Sequence, residues 1–76
     1  MKVHLAGHLS WYPPQKSSWF EMEAPPQTRV ENLLEQLGVP LAEVAVILVN
    51  GKLMDMNGEF LCNEDVVEIF PPIAGG

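Results

Sequence analysis

The sequence predicts an α+β fold, a mixed β-sheet with one face covered by a single main helix. Three observations predict it. Only one stretch, starting near Thr28, combines helical periodicity with stop signals at both ends. The remaining apolar residues fall in short runs that alternate with polar residues or are bounded by Gly, Pro, Asn and Asp, as strands are. A chain of 76 residues holds one small domain, and a lone helix finds a core there only by lying on a sheet.

From Met1 to Leu9 the chain alternates, with Val3, Leu5, Gly7 and Leu9 on one side and Lys2, His4, Ala6 and His8 on the other. This reads as a half-buried strand. Ser10 to Ser18, with Pro13-Pro14, is a connection, and Trp19 to Glu23 alternates again with Phe20 and Met22 inward. The two strands are expected to form a hairpin, with Trp11 and Tyr12 packed against Trp19 across it. An aromatic binding patch is the alternative reading of those three.

Pro25-Pro26 ends the second strand, and Thr28 with Glu31 three residues on has the pattern of a capping box. Val30, Leu33, Leu34 and Leu37 then stand at i, i+3, i+4 and i+7, the apolar stripe of a helix of about ten residues. Gly38 and Pro40 close it. Val44 to Val49 is an unbroken, β-branched apolar run followed by Asn50-Gly51, the strongest short hairpin signal, which returns the chain into Lys52-Leu53-Met54. After a turn at Asp55 to Gly58, Glu59 to Asn63 crosses with Leu61 inward. Asp65 to Phe70 is the last strand, with Val67 and Ile69 on one face and Val66, Glu68 and Phe70 on the other.

If that strand lies beside the first, residues 71–76 leave the body, residues 1–70, from the sheet. Val66 and Phe70 then stand at the root of a tail, either as an apolar docking surface or with Phe70 tucked against its own loop. Pro71-Pro72 lacks amide donors and favours extended polyproline geometry. Ile73-Ala74-Gly75-Gly76 follows, and at roughly 3 Å per residue it reaches about 12 Å from the body. The Gly-Gly tip is slender enough for a narrow slot. Its plain alternative is a loose terminus or an expression scar.

Composition narrows the function. Hydrophobic content of 47% with 18% charged residues excludes a disordered tail. A formal charge of −6, with only Lys2, Lys16, Arg29 and Lys52 basic, disfavours nucleic acid and anionic membrane surfaces and favours a basic protein partner. No apolar run approaches a membrane span, Met1 opens onto a strand pattern, and the expected location is cytoplasmic. Cys62 is the only cysteine, so no internal disulfide forms, and its acidic neighbours Glu64 and Asp65 are expected to raise the thiol pKa. His4 and His8, about 13 Å apart along a strand, are too far apart for one metal ion and read as solvated. No phosphate loop, nucleophile triad or zinc spacing is present, so the chain reads as a module and not an enzyme.

The run Val46-Ile47-Leu48-Val49-Asn50-Gly51, the stretch Leu61 to Phe70, and the ending Phe70-Pro71-Pro72-Ile73-Ala74-Gly75-Gly76 resemble the ubiquitin-like β-grasp sulfur carriers of the MoaD/ThiS family. The ending is most similar to that of molybdopterin synthase small subunits. Two features depart from the family. Glu64 stands where a glycine often precedes the Asp of the last strand, and the first loop is rich in aromatic residues. The resemblance implies a β-grasp fold with a flexible tail and a cycle of sulfur loading at the Gly76 carboxylate. A ubiquitin-activating-type adenylyltransferase (MoeB/ThiF-like) would use ATP to adenylate it, and a sulfur donor would displace AMP to leave a thiocarboxylate. Ile73, Ala74, Gly75 and Gly76 would enter partner active sites, while Val66, Phe70, Pro71 and Pro72 would dock. A MoaE-like molybdopterin synthase large subunit would receive the sulfur, and the chain itself would bind no cofactor or metal. Carriers for thiazole synthesis, tRNA thiolation or conjugation to protein lysines are the alternatives in the same class. A β-grasp interaction domain without terminal chemistry is the alternative outside it.

Overall fold

The computed structural model describes residues 1–14 and 16–72. Its strands are β1 (Lys2–Leu5), β2 (Trp19–Glu21), β3 (Val46–Val49), β4 (Lys52–Leu53) and β5 (Val66–Phe70), with one helix, α1 (Val30–Leu37). They form a single sheet in the order β2-β1-β5-β3-β4. The last strand does lie beside the first, in parallel, with Val3 opposite Val67 and Leu5 opposite Ile69. Its other neighbour β3 is antiparallel, with Val46 opposite Phe70.

Period-two alternation gives β1, β3 and β5 one dry face. Val3, Leu5, Ile47, Val49, Val67 and Ile69 are buried against Val30, Leu33, Leu34 and Leu37, the stripe of α1. Each such side chain contributes roughly 1.5 to 3 kcal/mol by leaving water. The helix is eight residues long. Gly38 stops it at φ 73°, the left-handed angle that suits a residue without a Cβ. Asn50 and Gly51 both take positive φ, 54° and 82°, as a tight two-residue hairpin between β3 and β4 requires.

Three local expectations fail. Thr28 does not cap α1; it is buried, and its hydroxyl donates to the Pro25 carbonyl at 2.7 Å. The cap falls one residue later, where Asn32 Oδ1 accepts the Arg29 amide at 3.0 Å. The first strand stops at Leu5 because Gly7, at φ 56°, turns the chain into a 3-10 segment, Gly7–Trp11. Leu9 is still buried, but Trp11 is swung outward, 71% exposed, and the expected cluster of Trp11, Tyr12 and Trp19 is replaced by Trp19 packed at a tilt against His4, ring centroids 4.5 Å apart. Glu59 to Asn63 crosses with Leu61 buried, as expected, its amide donating to the Thr28 carbonyl at 2.7 Å.

Candidate functional site

The face of the sheet turned away from α1 carries no covering element among the described residues. Register places Trp19, His4, Glu68, Leu48 and Leu53 in one row across all the strands. Phe70 pairs with Val46 in the next row, and Val66 with Lys2 on the other side. Leu53 is 78% exposed, and Trp19 and Val46 are also exposed. Val66, Leu48 and Phe70 are half-buried. Together they make an apolar field interrupted by Lys2, Glu21 and Glu68. Small monomers seldom expose so many apolar side chains on one face without a partner for them.

Of the residues expected to dock, Val66 and Phe70 lie on this face, and the Phe70 ring lies 6.1 Å from that of His4 on the neighbouring strand, centroid to centroid. The Val66 amide donates to Asn50 Oδ1 at 2.9 Å, which ties the start of β5 to the hairpin turn. Pro71 is half-buried and Pro72 exposed. Ile73, Ala74, Gly75 and Gly76, the residues expected to enter a partner, lie outside the described residues.

His4 and His8 do not share a strand face. His4 is half-buried between Trp19 and Phe70, with Nδ1 enclosed and unpartnered, while His8 sits in the 3-10 segment. Nor is His8 simply solvated: its Nε2 lies 2.5 Å from Glu43 Oε1, and Tyr12 donates its hydroxyl to Glu43 Oε2 at 2.6 Å. The Tyr12 and His8 contacts hold the Glu43 carboxyl below its ordinary range, and the same carboxylate raises the Tyr12 phenol. Cys62 is exposed. The Glu64 backbone favours its thiolate, but the Glu64 and Asp65 carboxylates and partial desolvation outweigh that and raise the thiol pKa, as expected.

The turn that Asn63-Glu64 must make without a glycine is held by Asp65. Its Oδ2 accepts the Cys62 amide at 2.9 Å, and its Oδ1 accepts from Asn50 Nδ2 at 2.9 Å. Burial alone would raise the Asp65 pKa; these donors outweigh it and lower it.

A family model described as the ThiS family matches residues 15–76. The chain belongs to the ThiS family. No curated protein matches it. As a ThiS-family member it is a ubiquitin-like sulfur carrier, of a class that is generally not catalytic and that works with adenylyltransferases and sulfur-using enzymes. Its five-stranded sheet under one helix is the β-grasp architecture. No helix among the described residues is long and apolar enough to cross a membrane.

The ThiS-family match begins at residue 15, after β1 and the segment that carries His8, Trp11 and Tyr12. Val46, Leu48 and Leu53 carry no sign in the sequence of facing outward. An unbroken apolar run such as Val44 to Val49 carries no sign of which side faces out. The alternation appears only once β5 fixes the register.

Proposed function

We propose that this ThiS-family carrier delivers sulfur from a thiocarboxylate at Gly76 for molybdopterin formation, as the small subunit of a cytoplasmic synthase. The reading is supported by the continuity of the open apolar face with the root of the tail. Val66 and Phe70 lie on that face, and Phe70 leads directly into Pro71-Pro72-Ile73-Ala74-Gly75-Gly76. A partner that covers the face through Val66, Phe70, Pro71 and Pro72 receives the tail at its own active site. A carboxylate is a poor electrophile. One Gly76 oxygen therefore attacks the α-phosphate of ATP in a MoeB/ThiF-like partner and pyrophosphate leaves. A sulfur nucleophile then attacks the activated carbonyl and expels AMP. The small residues Ala74, Gly75 and Gly76, with Ile73 before them, let the partner's groups close around the reacting carbonyl. The carrier contributes the acyl group and its position, and the partner stabilises the developing charge. A MoaE-like large subunit is the proposed acceptor, favoured by the Phe-Pro-Pro-Ile-Ala-Gly-Gly ending.

Intact-mass analysis after incubation with ATP, the adenylyltransferase and a sulfur donor tests this. Replacement of one oxygen by one sulfur is expected in the unaltered chain. It should be lost when a residue is added after Gly76 or when Gly76 is replaced by Phe, with the body still folded. Loading of the blocked chain would sink the reading. Reconstitution of the loaded carrier with a molybdopterin synthase large subunit, and separately with a thiazole synthase, decides the pathway.

A further inference from the structure

The tail leaves the body between two segments that are far apart in sequence. Because β5 lies between β1 and β3, parallel to one and antiparallel to the other, its end shares one edge of the sheet with the exit of β1 and the entry to β3. Both neighbours grip that end. Ala6 donates its amide to the Ile69 carbonyl at 2.9 Å, and Ala45 donates to the Phe70 carbonyl at 2.8 Å. Gly7 lies directly beneath Pro71, where a Cβ would come within 3.3 Å of the proline ring. The chain after β1 continues as the 3-10 segment that carries His8, with Tyr12 directly after it, and the chain before β3 holds a second 3-10 segment, Leu41–Glu43. The Glu43 carboxylate joins the two, one oxygen to His8 and the other to Tyr12. The bridge therefore joins the two segments that flank the end of β5, where the tail begins.

We propose that Glu43, with His8 and Tyr12, is a positioning group that closes a collar at the tail root and fixes the direction in which Pro71-Pro72 leaves the sheet. Neither proline has an amide to donate, so backbone pairing cannot set that direction beyond Phe70. Contact with Gly7 on one side and a closed bridge between the flanking segments supply the constraint instead. A tail aimed in advance loses less freedom on entering a partner's slot, which improves binding without adding a contact. The bridge is exposed, His8 54% and Glu43 38%, and exposed ion pairs contribute little to stability, so its loss should leave the body folded. The consequence for loading rests on the function proposed above; the geometry does not.

Two measurements on the full chain test the collar. In a weakly aligned medium, the one-bond Cα–Hα dipolar couplings of Pro71 and Pro72 should match the orientation of the sheet in the unaltered protein and shrink toward zero in Glu43→Ala. Glu43→Gln, which keeps an acceptor for Tyr12 and a polar partner for His8, should restore them, and Tyr12→Phe should give an intermediate loss. In ATP–pyrophosphate exchange by the adenylyltransferase, Glu43→Ala should raise KM for the carrier roughly three- to tenfold with kcat unchanged, and Glu43→Gln should restore it. Unchanged couplings in Glu43→Ala would overturn the proposal, as would a fall in kcat with unchanged KM. If the unaltered chain supports no exchange, the proposed function fails, and the couplings alone decide the collar.

Discussion

Alternate residues of β5 do different work. Val67 and Ile69 are fully buried under α1, while Val66, Glu68 and Phe70, their immediate neighbours in the chain, look out from the uncovered side. Val67, Glu68 and Ile69 each pair with both β1 and β3, so backbone pairing does not decide which side chains are buried. What separates them is what covers the side chain. A residue sealed by the helix is held by the fold, whereas an apolar residue left half-open across an otherwise well-packed sheet is available to another protein.

Substitution on either side of β5 should therefore change different quantities. The largest expected effect is on the buried side. Ile69→Ala removes a fully buried side chain from the middle of the core and should cost about 3 kcal/mol in urea unfolding. That is a large share of the stability of so small a domain. A cost below about 1 kcal/mol would mean that the two sides of the strand are not so different. Phe70→Ala should do the reverse. Its folding cost should stay near 1 kcal/mol. Affinity for the adenylyltransferase, measured by calorimetry, should fall roughly thirtyfold, the loss of about 2 kcal/mol typical of a central aromatic anchor. Unaltered affinity would remove Phe70 from the docking surface.

Much of this division was legible in the sequence, and the reason is local. The assignment of Val67 and Ile69 to one face and of Val66, Glu68 and Phe70 to the other follows from period-two alternation within five residues, and the structure agrees. The leucine stripe of α1, the stop at Gly38 and the Asn50-Gly51 turn are equally short-range, and each is where the sequence puts it. The failures involve partners distant in the chain or a single backbone angle. Gly7 could continue a strand or break it, and its left-handed angle breaks it, which removes Trp11 and Tyr12 from the hairpin and leaves Trp19 to pack against His4. Thr28 is spent on the Pro25 turn, a use that a capping pattern cannot distinguish from its own. The Glu43 bridge joins residues 35 and 31 positions apart, and no local signal connects them. The proposed role of the tail rests on consecutive residues alone, outside the described ones. The surface around it was the least readable, since all five strands contribute to it.

The smallest expected effect is a shift in one titration, and it probes the edge where the two sides of the sheet meet the tail root. Tyr12 is the only tyrosine, so the ultraviolet absorbance of its phenolate reports this one group. The neutral phenol donates to the Glu43 carboxylate, and removing its proton would set two negative charges against each other, so its pKa is raised above the ordinary value of about 10. Glu43 is shifted the opposite way, because Tyr12 and His8 favour its ionised form. The sign follows for each partner. The contact is complete below the ordinary phenol pKa and is lost as pH rises through the raised one. At the other end it is complete above the ordinary carboxylate pKa and is lost as pH falls through the lowered one. The Tyr12–Glu43 contact is thus complete throughout the neutral range. In Glu43→Ala the Tyr12 midpoint should drop back toward 10, and in Ile69→Ala, measured where that variant is still folded, it should stay raised. A midpoint already near 10 in the unaltered protein would mean that the Tyr12–Glu43 bond does not persist in solution, and the tail root would then have no side-chain bridge across it.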